Sequence, residues 1–477
     1  MRRRGSSAAL AALLALLLTA TASLLGACSA GDDGTGPAPG PSAPGPGDPL
    51  IVASGRDVTG KGGIRERLIE QWNARPGVAY RARLVELPGS ADEQRSQLLG
   101  GLQSGGARYD VVNLDVTWVP EFAEAGLVQS LDPAFLDGDV IDSVARTARW
   151  NDAVYSVPFN TDVGLLYYRR DHLTRAGVRD TRLGSGTTWT ELRGLIRTVE
   201  HRRPPGQEAG WTTQLAPYEG LTVNGIEAFA SVMAKGQGLT DERGRYTGTP
   251  GVLEDGLDEL RVRTDASDLL SEATGSDETA SLTAFADGRT TFLRHWPYAY
   301  RILHQSLNAQ QLGVAPLPGR AVLGGQNLAV TTAATGPRAA AARELIAFLT
   351  DRRSERCLLD AGFAATRTSA YSDERVTCRL PSHGASPTTT GAPGGGAPES
   401  ADRMPRDANG RPRYARTILL PALNGSVVER PRTPHYGAFS QTFLSGLSRL
   451  FEDDPPSDKE LARDLDAALR RVLPVAR

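Results

Sequence analysis

The sequence predicts an α/β fold divided between two lobes or domains. Short apolar runs bounded by Gly or Pro alternate with stretches of 3.6-residue periodicity, which implies strands and helices in turn and a largely parallel sheet. Beyond residue 49 about 430 residues remain, more than a single hydrophobic core serves. No internal repeat is visible.

The N-terminus stands outside this pattern. Arg2, Arg3 and Arg4 precede an apolar run from Ala8 to Leu18 and the small-residue segment Leu25-Gly26-Ala27-Cys28, the order of a secretory signal peptide over residues 1–27. The run is short for a transmembrane helix, which needs about 20 apolar residues. Leu-Gly-Ala-Cys resembles the lipobox of bacterial lipoproteins, which implies that the Cys28 thiol is acylated and anchors the chain to the outer face of the cell membrane. Residues 29–49 carry no large apolar side chain and read as a flexible tether.

The first strand is expected at Leu50-Ile51-Val52-Ala53, followed by a helix carrying Ile64, Leu68 and Trp72 on one face. Next come a strand from Tyr80 to Leu87, a helix through Leu98 and Leu102, a strand from Val111 to Leu114, and a helix and turn at Phe122 and Leu127. Tyr155 to Pro158 and Gly164 to Tyr168 read as strands. Thr188-Trp189-Thr190-Glu191 is a capping-box pattern ahead of Leu192, Leu195, Ile196 and Val199. Later helix faces are Leu345, Ile346 and Leu349, and at the end Leu461, Leu465, Leu469 and Val472. The low-complexity segment 381–412 cannot pack on its composition and is expected to be a disordered or surface insertion.

Charge and motifs exclude several functions. With 53 basic and 55 acidic residues, net charge −2, the chain lacks the basic footprint of a nucleic-acid binder. Gly55-Arg56-Asp57-Val58-Thr59-Gly60-Lys61 matches most of a phosphate-binding loop, but Gly62 stands where the motif needs a magnesium-bound hydroxyl. It reads as a plain Gly-rich turn. Neither G-x-S-x-G nor H-E-x-x-H occurs, so two common hydrolase mechanisms lack their signatures. Besides Cys28 only Cys357 and Cys378 remain, and in an oxidising exterior an isolated pair reads first as a disulfide, worth about 3 kcal/mol. The alternative, a metal site with His383, is the weaker reading, and no metal or cofactor is expected.

Carboxylates, arginines and aromatics gather at predicted strand ends. Asp115 and Trp118 follow Val111 to Leu114, Asn160 and Asp162 lie between two apolar runs, Trp296 and Tyr298 follow Thr291-Phe292-Leu293, and Gly324 and Gly325 precede another strand. Such a lining suits a sugar, whose C–H faces stack on aromatics and whose hydroxyls take charged partners. Trp118 and Tyr168 read as core.

These residues sit in phrases spread through most of the chain after the tether. In order they are Asp92-Glu93-Gln94-Arg95, Asn113 through Trp118, Pro158 through Arg169, Tyr218-Glu219-Gly220-Leu221, Trp296-Pro297-Tyr298-Ala299, Gly313 through Pro318, Leu323-Gly324-Gly325 and Arg432-Thr433-Pro434-His435-Tyr436. Taken together they resemble the trehalose/maltose-binding receptors among the family 1 extracellular solute-binding proteins. The resemblance implies a two-lobe periplasmic-binding-protein-like fold of the maltose-binding type, with a hinge crossed by more than one strand. Lobe 1 would comprise 50–157 plus about 317–366, and lobe 2 would comprise 158–316 plus about 367–477. It further implies a monomeric receptor without catalysis that hands a di- or oligosaccharide to ABC permease subunits. Arg95, Asp115, Asp162 and Glu219 would hold hydroxyls with Asn160 close by, Trp296 and Tyr298 would stack on rings, and Gly324 and Gly325 would approach with backbone groups. Arg367 would add a charged contact. Gln326 stands where the family usually has an aromatic, removing a stacking platform and pointing to a different sugar. An exported glycoside hydrolase using Asp115 and Glu219 as its acid and base, or a sensory lipoprotein on the same fold, are the competing functions.

Overall fold

The computed structural model describes residues 47–56, 63–106, 108–380, 403–425 and 427–475. The expected signal segment, Cys28 with the tether to residue 46, the turn at 57–62 and residues 381–402 of the low-complexity segment lie outside the described residues.

The chain begins as strand, helix, strand, helix, strand: β1 (Leu50–Gly55), α1 (Ile64–Asn73), β2 (Ala82–Leu87), α2 (Ala91–Gln103) and β3 (Val111–Asp115). β1 pairs in parallel with both β2 and β3. Helix α1 buries Ile64, Leu68, Ile69 and Trp72 on one face. At the start of α2, Ser90 and Glu93 cap each other's backbone N–H groups. A short hairpin of β4 (Arg149–Trp150) and β5 (Ala153–Val154) turns through Asn151 and Asp152, both at positive φ, a conformation that Asn and Asp tolerate in two-residue turns.

From here the chain passes between two sheets. β6 (Val157–Val163) belongs to a six-stranded sheet with β1, β2, β3, β11 (Ala321–Val330) and β12 (Val427–Glu429). One residue later β7 (Leu165–Arg169) enters a four-stranded sheet ordered β10 (Leu312–Pro316), β7, β9 (Thr290–His295), β8 (Ala209–Thr212). The residue between them, Gly164, packs on the buried pair of Arg294 and Glu227, 2.6 Å apart, where a Cβ would lie 2.4 Å from a Glu227 oxygen. The chain returns from β10 to β11 and leaves the larger sheet a last time after β12. These three crossings form the hinge region between two lobes.

The pairing departs from the expected parallel sheet. β11 runs antiparallel to β3 and β6, and in the smaller sheet only β8 and β9 are parallel. A strand that continues almost directly into the other lobe has no room for the helical crossover that parallel neighbours require.

The helices close both lobes. α3 (Trp189–Glu200) starts at the expected capping box of Thr188 and Glu191. Buried α4 (Glu219–Val232) packs against α8 (Tyr436–Ser448), and α5 (Glu278–Ala286) precedes β9. On the larger sheet α6 (Gly336–Leu349) buries Leu345, Ile346 and Leu349, and α7 (Arg352–Asp360) follows. A disulfide joins Cys357 of α7 to Cys378. The terminal α9 (Asp458–Val472) buries Leu461, Leu465 and Leu469. Trp118 and Tyr168 are core residues.

A second sequence expectation is corrected. Residues 403–412, the end of the segment read as unable to pack, are ordered: Met404 and Arg411 are buried, and Arg411 donates to the carbonyls of Ala370 and Asp373 at 3.1 and 2.8 Å. Composition over a long window conceals two anchoring side chains.

Candidate functional site

The site grows from three adjacent strands, at the end of β3 and within β11 and β6. In the larger sheet Gln326 of β11 lies opposite Asp115 of β3 on one side and Asn160 of β6 on the other, and Gly324 lies opposite Asp162. Directly opposed residues share a face of a sheet, so these five project to the same side. At Gly324 a Cβ would lie 3.2 Å from Asp162 Cβ and 3.3 Å from Trp296 Cζ3. Trp296, which follows β9 of the smaller sheet, therefore covers this patch. Gly325 has φ +121° and a Cβ there would meet Asn160 O at 2.5 Å, so only glycine fits where β11 presses on β6.

The smaller lobe supplies the aromatic wall. The Arg294 guanidinium, held by Glu227, stacks 3.8 Å from the centre of the Trp296 ring and fixes it. Tyr298 meets His295 edge-on at 5.2 Å. Burial first, then the charges of Glu278 and Asp162, holds the Tyr298 phenol well above its usual range. Tyr218, N-terminal to α4, donates to Glu278 at 2.7 Å.

Among the described residues Asp162 makes no side-chain hydrogen bond. Its Oδ1 is buried without a hydrogen bond. Burial pushes its pKa up to about 7, with Asp115 adding to the rise and Arg65, Arg294 and Arg430 opposing it.

Beneath the patch lies Arg65, from the first turn of α1 and 4% exposed. It donates to Ser54 Oγ and Gly55 O at 3.0 Å, to Asn160 Oδ1 at 3.2 Å and to Gln326 Oε1 at 2.6 Å. Asn113 Nδ2 donates to the same Gln326 oxygen at 2.9 Å.

Asp115 and Glu219 form a second cluster, joined by Arg430. This arginine follows β12 on the last crossing, with its side chain 3% exposed, and donates to Asp115 Oδ1 and Glu219 Oε1, each at 2.7 Å. Glu219 opens α4 and also accepts from Tyr436 and, at 2.7 Å, from Ser440. Burial raises the Glu219 pKa against the opposing pull of Arg430 and Tyr436. Asp92 accepts the Glu219 backbone N–H at 3.3 Å, linking α2 of one lobe to α4 of the other. Arg95 pairs with Glu121 and lies against Gly437.

The structure thus brings Asp115, Asn160, Asp162, Trp296, Tyr298, Gly324, Gly325 and Gln326 together, with Glu219 beside them through Arg430 and Arg95 on the same rim. Arg367 stands apart. It donates to Thr350 O and Asp137, each at 2.7 Å, and lines a separate surface pocket with Phe135 and Asp351. Sequence reasoning missed Arg65 and Arg430. Arg65 precedes the apolar positions Leu68 and Ile69 at i+3 and i+4, which places it on the buried face of α1. Arg430 offered no comparable signal, since its partners are 211 and 315 residues away.

Chemically, the patch offers hydrogen-bond donors, a free carboxylate and an aromatic wall. Of the two carboxylates expected as an acid and base pair, Glu219 has hydrogen bonds on both oxygens and Asp115 has its Oδ1 bound to Arg430 and Thr117. Among the described residues no cluster of His, Cys, Asp or Glu could hold a metal ion.

The family model described as bacterial extracellular solute-binding protein matches residues 57–355. A probable ABC transporter-binding protein of Deinococcus radiodurans is 26% identical over 315 residues, 63% of this chain and 73% of the relative. Maltose-bound MalE3 of T. maritima superposes with a TM-score of 0.70 at 22% identity, over 89% of this chain and 99% of that one. The GacH receptor of Streptomyces glaucescens, solved unliganded and with acarbose, gives 0.68 at 19% identity, over 90% and 98%.

Proposed function

Because this chain belongs to the bacterial extracellular solute-binding proteins, we propose that it captures a neutral di- or oligosaccharide, or a close relative, between its two lobes and delivers it to an ABC permease. The observation that carries the reading is the patch across β6 and β11: Asp162 without a side-chain hydrogen bond, with Asn160 and Gln326 beside it, under the Trp296 ring. Hydroxyls meet the polar floor and ring C–H groups meet the wall. Similar folds hold maltose and acarbose, which supports the ligand class. The lipid anchor at Cys28 belongs to the same proposal, supported by the sequence Leu25-Gly26-Ala27-Cys28.

The test is calorimetric titration of the chain against glucose, maltose, trehalose and related gluco-configured sugars. Binding of at least one, without release of a hydrolysis product over days, is the expected result. A panel in which none binds removes the sugar assignment.

A further inference from the structure

Gln326 is the middle of a row that runs Asp115, Gln326, Asn160 across three strands, with Asp162 next along β6. Guanidinium and amide nitrogens can only donate. Arg65 and Asn113 must therefore meet the oxygen of the Gln326 amide, as they do at 2.6 and 2.9 Å, and its Nε2 is turned away from them. The same guanidinium holds Asn160 Oδ1 at 3.2 Å and turns Asn160 Nδ2 away likewise. Among the described residues neither amide nitrogen has a hydrogen-bond partner. At the ends of the row stand two carboxylates. Asp115 commits Oδ1 to Arg430 and Thr117 and keeps Oδ2, while Asp162 makes no side-chain hydrogen bond among the described residues.

The polar atoms on this face thus run acceptor, donor, donor, acceptor. We propose that the row reads two adjacent hydroxyls of the sugar, each donating its proton to a carboxylate and accepting from an amide, with Gln326 the specificity-determining residue and Arg65 the positioning residue that orients it. This rests on the sugar reading above and names the part of the ligand that the site selects. A hydroxyl is the group that gives and takes at once. An anionic ligand group would face Asp115 and Asp162, and a cationic one would face two amide N–H groups. An aromatic side chain at 326 would stack on a ring but be blind to how its hydroxyls point.

The experiment titrates wild type, Gln326→Glu and Arg65→Lys with glucose, maltose and trehalose and with the monodeoxy analogues of each. Glutamate still offers an oxygen to Arg65 and Asn113 but cannot donate, so the fold stays and affinity for the parent sugar falls about tenfold, the order of one lost hydrogen bond. The analogue lacking the recognised hydroxyl binds both proteins alike. Arg65→Lys narrows the parent-to-deoxy affinity ratio, a readout that mere loosening leaves unchanged because it weakens both sugars equally. Should either variant fail to unfold cooperatively, Asn160→Asp, which removes the neighbouring donor, is judged by the same ratio. Equal binding by wild type and Gln326→Glu, or an intact ratio in the other variants, overturns the row while the sugar reading stands. If wild type binds none of the sugars, both fall.

Discussion

At the scale of single residues, ionisation in the candidate site is set first by burial and then by charges distant along the chain. Asp162 has a folded pKa of about 7, above its unfolded value. Its contribution to stability is therefore fully present below the ordinary aspartate range and is lost as pH rises through about 7. Ligand binding has the opposite sign: hydroxyls that donate to the ionised carboxylate draw its pKa down, so affinity rises with pH up to about 7 and then levels. Calorimetry between pH 5.5 and 8.5 checks this, and Asp162→Asn flattens the profile; a wild-type profile that is already flat removes Asp162 from the ligand. Arg430 governs a different quantity. Replacing it with Met leaves Asp115 and Glu219 uncompensated in a buried place, at a cost of about 3–5 kcal/mol, read as a lower urea midpoint with unchanged slope. Neither arginine that organises the cleft was legible in the sequence as a site residue. The spacing of Arg65 places it on the buried face of α1 but does not mark it as a partner of Gln326, and Arg430 has no local pattern at all, whereas the proposed ligand contacts Asp115, Asp162 and Trp296 are conspicuous as polar or aromatic residues beside apolar runs.

At the scale of elements, local chemistry and long-range order separate. The strands of the first lobe, the capped start of α3 and the apolar faces of α6 and α9 were legible because each is written within about a dozen residues. The antiparallel neighbours of β11 were not, since pairing depends on where the chain crosses between lobes. The end of the low-complexity segment was misread because Arg411 is ordered by carbonyls some forty residues earlier. That region also carries the disulfide between α7 and Cys378, which closes a loop with a sequence separation of 21. Replacing both cysteines by Ser is expected to cost about 3 kcal/mol by constraining the unfolded chain less. Thermal melts of the variant and of the wild type with reductant should agree; no shift in either would mean that the crosslink adds nothing to stability.

For the molecule as a whole, the proposed capture of a sugar between the lobes predicts that ligand controls closure about the three crossings, with the bond from Asp92 to the head of α4 linking the lobes. A ligand that binds the closed form better shifts the equilibrium by its differential affinity alone. At a hundredfold excess over Kd it stabilises by about 2.7 kcal/mol. A rise in Tm together with a smaller radius of gyration in solution scattering is the expected pair of results; a rise in Tm with an unchanged radius would show a molecule already closed before ligand arrives. The contact of Gly325 with β6 carries a consequence of another kind. With a backbone conformation reserved for glycine and no space for a Cβ, that position is frozen, while Gln326 beside it has its backbone already held and only its side chain to exchange. Divergence in ligand preference, natural or engineered, has a cheap route here: one replaceable part mounted on a fixed bracket, so that a new specificity need not be bought with a new fold.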